Sequence, residues 1–385
     1  MLFGTQETAW FLKVFMLDSF LCFSMIDIDG SHGEGGGQIV RAALALSTLT
    51  GKPFRVFDIR KNRPEPGLKA QHLTAIEALK QICGAQTNNV ALGSTELVYT
   101  PGKIKSGSFS FDIGTAGSIS LLLQALLLPA LFAPKKVTLT LTGGTCGLWQ
   151  APVEYMQQVL LPFVERFCGK LTCSLTKRGY YPRGGGQVLV EVKPRFLLAD
   201  FPDFASFLSE LQKKIHPFSL SDRGTLSYIR GVSHASQMLA EQRVAERQAE
   251  AARLYLQRTG VPVTITSEYQ NTLSIGSGVV LWARFARDDE FSTVLGVSAL
   301  GNKGKRAEDV GKEAAVALLK EIDSGAMIDH YLADQLLPFM ALLGSGSFVT
   351  STISPHTRTH MAVIERFLPV RFGVEGQTIL VKPRL

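Results

Sequence analysis

Cysteine is scarce: there are five, at positions 22, 83, 146, 168 and 173, and no C-x-x-C pair. That excludes a disulfide framework and a zinc ribbon, and it fits a reducing compartment, the cytoplasm. Charge is thin as well, at 19% of residues against 45% hydrophobic, so the chain buries a large core and is not disordered. No segment qualifies as a membrane span. The most apolar run, residues 119–132, carries Ser120, Gln124 and Pro129 and reads as a core helix. The glycine-rich stretch SHGEGGGQIVR (31–41) matches neither G-x-G-x-x-G nor G-x-x-x-x-G-K-[ST]. It lacks the phosphate-binding lysine and holds a carboxylate, Glu34, in its middle. H-E-x-x-H is also missing.

What is there is a chain of 385 residues with net charge +7 and pI about 9.1. The length fits two domains, or one large domain with an insertion. The basic excess suits an anionic partner such as RNA, DNA or a nucleotide, and equally many metabolic enzymes. Residues 1–24 are rich in Phe and Leu but lack a basic n-region, and Glu7, Lys13 and Asp18 interrupt them, so they are not a signal peptide. The expectation is that they are an extension and that translation starts at Met25.

Strand-like and helix-like pieces alternate. Met25–Asp29, Phe54–Ile59, Leu97–Thr100 and Ser108–Phe111 read as strands. Gly37–Leu49 and Leu68–Ile82 read as helices between them, closed by Gly51 and Gly84. The order β-α-β-α-β-β then recurs: helices at Ser118–Leu131 and Pro152–Phe167, strands at Lys136–Leu141, near Thr172–Thr176 and at Gln187–Val192. GGGQ occurs at 35–38 and again at 184–187. Composition shifts near Pro194, and 203–326 is more charged, with amphipathic helices at Val244–Leu256 and Ala307–Ile322. The fold class is α/β (α+β). The expected domains are a core of 25–202 and 327–385 and an inserted α/β domain at 203–326, with Tyr331–Leu343, Ser347–Ser351 and Met361–Phe367 completing a third copy.

Five constellations carry candidate chemistry. In the first, the glycines let backbone approach a ligand and the helix start offers free N–H groups. Gln38 and Arg41 follow at i, i+3, and Arg41 can meet a phosphate. Glu34 can do so only through Mg²⁺ or Mn²⁺. A tight turn whose glycines only pack explains the loop as well. The second is RKNRPEPGLKAQH (60–72), where Arg60 and Arg63 sit in a rigid loop and Gln71 in the following first turn. A solvated basic loop is the alternative. The third, GTAGS at 114–118, opens an apolar helix holding Gln124, an amide that needs partners. It can serve a base or ribose, or a neighbouring loop. In the fourth, Tyr331 and Asp334 share a helix face. That face can sit beside a purine or in solvent. In the fifth, His356 stands just before a helix, where a neutral imidazole is a competent nucleophile at phosphorus near pH 7. His356 and His360 also have the i, i+4 spacing of a zinc pair, with no third ligand in sight.

Together, DGSHGEGGGQIVRAAL, RPEPGLKAQHLTA, IGTAGS, TGGT, YPRGGG, HYLADQLLPFMAL and HTRTHMAVIERF resemble the RNA 3′-terminal phosphate cyclase family over nearly all of 25–385. The resemblance implies three β-α-β-α-β-β repeats with a small α/β domain inserted before the last. It implies an ATP-dependent ligase-class reaction. A histidine takes AMP from ATP, passes it to an RNA 3′-phosphate, and the vicinal 2′-hydroxyl closes a 2′,3′-cyclic phosphate. Carried over, His356 is the nucleophile and Glu34 the ligand of Mg²⁺ or Mn²⁺. Arg41, Arg60 and Arg63 grip phosphate. Gln38, Gln71 and Gln124 line the nucleotide pocket, with Tyr331 and Asp334 near the adenosine. The partners are ATP and RNA with a 3′-phosphate end, as monomer or homodimer.

Two positions depart from the family pattern. His360 stands where relatives commonly have Asn, leaving open which imidazole is adenylylated. CGLWQAP (146–152) puts base contacts at Trp149 or Ala151 in doubt. Two rival readings are an inactive relative binding RNA in ribosome assembly and a carboxyvinyl transferase of small metabolites.

Overall fold

The computed structural model describes residues 25–148, 150–220, 222–286 and 293–384. The expectations for residues 1–24 and for Trp149 lie outside them. The first unit runs β1 (Ile26–Asp29), α1 (Gln38–Thr50), β2 (Phe54–Phe57), α2 (Ala70–Cys83), β3 (Gln86–Thr87), β4 (Leu97–Thr100). The second runs β5 (Gly107–Asp112), α3 (Ile119–Leu131), β6 (Val137–Gly143), α4 (153–167), β7 (Cys168–Lys177), β8 (Gly186–Pro194). In α4 the turn Met156–Leu160 is a π-helix. A connecting helix α5 (Phe204–Lys214) and strand β9 (Phe218–Leu220) follow.

The inserted unit comprises β10 (Thr225–Ser236), α6 (Val244–Leu256), β11 (Val263–Gln270), β12 (Ser277–Ala286), β13 (Val294–Leu300) and α7 (Ala307–Asp323). The chain then closes with α8 (His330–Leu343), β14 (Gly346–Val349), α9 (Pro355–Phe367), β15 (Val370–Glu375) and β16 (Thr378–Pro383).

Sheet pairing demonstrates the threefold repeat. The orders are β1-β2-β4-β3, β5-β6-β8-β7 and, reversed, β15-β16-β14-β9. In each, the first strand pairs parallel with the second, which pairs antiparallel with the fourth, which pairs antiparallel with the third.

Three details differ from the sequence reading. The strand at 108–111 does not close the first unit; β5 opens the second, and β3 and β4 close the first. At two residues β3 is too short to leave an alternating pattern. The insertion falls inside the third unit, after β9, not before it. And α5 and β9 do not join the insertion despite lying beyond 203: Phe207, Leu211, Phe218 and Leu220 are buried in the large core, and β9 pairs with β14.

At the centre is α1. Its sequence QIVRAALALSTLT is apolar almost all round, and all thirteen residues are buried, including Gln38 and Arg41. Helices α3 and α9 pack against it. It ends at Gly51, whose φ of 73° suits glycine and whose N–H bonds to the Ser47 carbonyl at 2.9 Å.

The inserted sheet, ordered β11-β10-β12-β13, uses both faces. Val279, Leu281, Ala283 and Phe285 of β12 face its own core beneath α6 and α7. The alternate residues Val280 and Trp282 pack against the large core. A buried polar seam reinforces the joint. Arg178 pairs with Glu154 and with Glu268 of β11, and Tyr180 bonds His234 of β10 at 2.8 Å. Among the described residues no helix is long and apolar enough to cross a membrane, and the four cysteines are free thiols.

Candidate active site

The site forms where the loop before α1, the loop before α2 and the first turn of α9 meet. Ser354 caps α9, its hydroxyl accepting from the Thr357 N–H at 3.1 Å, and Pro355 takes the first helical position. His356 thus sits in the first turn, beside the positive end of the helix dipole. One helical turn separates it from His360 on the same helix.

Gly33, at φ 59°, brings the glycine loop against α9: a Cβ there would lie 2.3 Å from the Thr359 hydroxyl oxygen. That hydroxyl accepts from the Glu34 N–H at 3.3 Å. Glu34 is thereby placed between two partners. Its Oε1 accepts from Arg63 Nη2 at 2.6 Å, and its Oε2 lies 3.0 Å from His356 Nδ1. Burial works against the charge, but the Arg63 hydrogen bond and the His356 and Arg63 charges outweigh it and hold the carboxyl below its usual value.

On the other side, Asp334 Oδ2 lies 3.7 Å from His356 Nε2. Asp334 Oδ1 accepts from Gln38 Nε2 at 2.5 Å and from His360 Nδ1 at 3.0 Å. This carboxylate ties α1, α8 and α9 together. Burial raises its pKa, and the two histidines and Gln38 more than reverse that. Imidazole exposure separates the two histidines: the His356 side chain is 36% exposed at the mouth, while that of His360 is 9% exposed beneath Asp334.

Arg41 is buried. Desolvation pushes its pKa down to about 10, opposed by Asp334 and aided by Arg60. Its Nε donates to Gln124 Oε1 at 3.4 Å, so Gln124 supports Arg41. Arg60 has a positive φ of 56° and donates Nη2 to the Glu65 carbonyl at 3.2 Å. Burial and then Arg63 lower its pKa.

The structure does not bring every candidate to the imidazole. Gln71 Oε1 accepts from the Ser118 N–H at 3.2 Å and joins the first two repeats. Tyr331, 51% exposed, stands on the rim with its ring edge-on to Tyr155. A cavity of about 50 Å³ lies behind Arg41, lined by Gln38, Gln124, Met156 and His360 among others. It has room for water but not for a nucleotide.

Sequence reasoning gave no role to Thr359 or to His72, which packs against the α1 start. Both lie inside quoted motifs, one residue from a named candidate, and spacing alone carries no sign of their contacts.

Fold and cleft together define a three-repeat α/β enzyme scaffold with a histidine held between two carboxylates, one of which also takes up Arg63. The family model for RNA 3′-terminal phosphate cyclase matches residues 32–374. Relatives named RNA 3′-terminal phosphate cyclase are 43% identical in Archaeoglobus fulgidus (93% of this chain, 100% of the relative) and 44% in Methanosarcina barkeri (91% and 97%). A third, from Methanopyrus kandleri, is 40% identical (94% and 99%). The chain belongs to the RNA 3′-terminal phosphate cyclase family and is an enzyme of that kind.

Proposed function

We propose that the chain converts an RNA 3′-terminal phosphate to a 2′,3′-cyclic phosphate at the expense of ATP, through AMP carried on His356. The observation that carries this is the 3.0 Å contact between His356 Nδ1 and Glu34. With the proton on Nδ1 donated to that carboxylate, the lone pair resides on Nε2, 3.7 Å from Asp334 Oδ2. Nε2 attacks the α-phosphorus of ATP and pyrophosphate leaves. The adenylyl group then passes from Nε2 to an oxygen of the RNA 3′-phosphate. The 2′-hydroxyl attacks that phosphorus, loses its proton and expels AMP. Imidazole serves first as nucleophile and then as leaving group.

Arg41, Arg60 and Arg63 neutralise phosphate charge, as such transfers require. Asp334, held by Gln38 and His360, fixes the face of the imidazole opposite Glu34. Tyr331 on the rim offers a ring to the adenosine. Gln71 and Gln124 act by holding the loops and Arg41. In this reading the cytoplasm, where ATP and reduced thiols coexist, is the site of action.

Mg²⁺ or Mn²⁺ would add charge neutralisation on the triphosphate. Among the described residues no group of three or more His, Cys, Asp or Glu side chains could hold a metal ion. One carboxylate, Glu34, suits a cation that arrives on substrate phosphates rather than one caged by protein. Glu34 would hold it by exchanging its Arg63 contact.

Incubation with α-labelled ATP and Mg²⁺ or Mn²⁺ tests the proposal. Label should attach covalently to the wild type and not to His356→Ala. No label, or full labelling of the variant, would overturn it, and an assembly factor or carboxyvinyl transferase gives no label. In the second assay, a 3′-phosphate oligoribonucleotide should become resistant to phosphatase.

A further inference from the structure

A deficit of acceptors lies behind the glycine loop. His72 is fully buried. Its Nδ1 accepts from the Lys69 N–H at 3.0 Å, so the proton is on Nε2. That Nε2–H has no partner, and neither does the buried Nε of Arg60. A buried donor without an acceptor is costly, so such sites call for an explanation.

The orphaned imidazole points at the start of α1. A Cβ on Gly37 would lie 2.2 Å from His72 Nε2 and 3.1 Å from Arg41 Nη1. Gly37 is the N-cap of α1 and provides no side-chain cap, which leaves first-turn N–H groups open. The preceding Gly36 faces the other way: a Cβ there would meet Arg63 Nη2 at 3.4 Å and His356 Cε1 at 4.0 Å. A diglycine therefore separates the His356 imidazole from a cluster of three donors: Arg41, Arg60 and His72. Arg60 is close enough to lower the basicity of Arg41, and both lower that of His72, whose pKa burial drives down to about 3. Two unpartnered donors, His72 Nε2–H and Arg60 Nε–H, thus lie beside one unpartnered acceptor, Gln38 Oε1, and the carboxylate that acts on Arg41 is Asp334, itself taken up by Gln38 and His360.

We infer that His72 is an uncharged hydrogen-bond donor of an oxyanion cradle, completed by Arg41, Arg60 and the start of α1, that receives a phosphoryl oxygen of the nucleotide or of the RNA end. This rests on the proposed reaction for the identity of those two sources, but not for the cradle itself. A neutral donor adds a directed contact without adding to the repulsion between the two arginines. It also keeps its function at every physiological pH.

Equilibrium binding to the full chain tests this without any need for turnover. The probes are inorganic pyrophosphate, for the nucleotide arm, and one oligoribonucleotide ending in 3′-phosphate or 3′-hydroxyl, for the RNA arm. The variants are His72→Leu, which lacks the donor, and His72→Gln, whose amide restores it. His72→Leu should weaken either pyrophosphate, or the 3′-phosphate end relative to the 3′-hydroxyl end, by about 10- to 100-fold. The probe affected names the source. His72→Gln should recover most of the loss, and the loss should be the same at pH 6 and pH 8. Unchanged binding of both probes by His72→Leu overturns the inference. So does equal failure of the two variants with matching drops in melting temperature, which marks His72 as packing alone. Loss of covalent label in the ATP experiment with normal probe binding would remove the proposed reaction and leave the cradle.

Discussion

Glu34 Oε2 and His356 Nδ1 stand 3.0 Å apart although 322 positions separate them in the chain. The contact joins the loop of the first repeat to the second helix of the third, and Thr359 locks it by accepting from the Glu34 N–H. Four expectations follow from this and related contacts.

Glu34→Gln keeps the size of the side chain but removes the charge that orients the imidazole and holds Arg63. Single-turnover transfer of AMP to the protein should slow by about 10²-fold or more, with ATP binding changed far less. A rate within threefold of wild type would exclude Glu34 from this role.

His360→Ala deletes the 3.0 Å bond to Asp334 but leaves His356 in place. Adenylylation should slow by roughly tenfold, the worth of one hydrogen bond to a charged group. Mass spectrometry of the labelled protein should locate AMP on residue 356 in both proteins. AMP found on 360 in the wild type would reverse the roles.

The Arg178–Glu154 pair is almost without solvent, with side-chain exposures of 1% and 6%. Arg178→Met should cost about 3–5 kcal/mol by leaving a buried carboxylate uncompensated. Adding Glu154→Leu should recover much of that. Chemical denaturation reads both, and a double variant no better than the single one would contradict the account.

Asp329 caps α8, accepting from the Tyr331 and Leu332 N–H groups with Oδ1, which also accepts from Tyr155. Oδ2 accepts from the Gly296 N–H of the insertion at 2.9 Å. Asp329→Asn turns one acceptor into a donor facing Gly296, and should cost about 1–3 kcal/mol. Burial raises the Asp329 pKa from 3.8 to about 6, despite those hydrogen bonds. A carboxyl raised in the folded state contributes stability that is full below 3.8 and is lost as pH rises through 6. The gap between wild type and variant should therefore be wider at pH 5 than at pH 7.5. Urea unfolding at the two values checks it, and a gap that widens with pH would refute it.

Much of the scaffold was legible because it is local. The apolar run of α1, its closing Gly51 and the alternating T-L-T-L-T of β6 each write their own structure. The repeat frame was less legible: two-residue β3 has no period to detect, and β9 is separated from β14 by the whole insertion. Nothing in the residues near 203 says that α5 belongs with the large core. Only its burial in the large core, with Phe207 edge-on to Phe132, does.

For the site, sequence determined the inventory: an imidazole at a capped helix start, a carboxylate in a glycine loop, arginines in a Pro/Gly loop. Those types follow from what phosphate chemistry requires of side chains. Tertiary structure decided the pairings. It set Glu34 on His356, His360 under Asp334, Gln124 on Arg41 and Gln71 on a neighbouring loop, and it left His72 facing Gly37 without an acceptor. Periodicity fixes which face of an element a residue occupies, but not which distant element will meet that face. That meeting is settled by packing three repeats around one buried helix, a property of the whole chain.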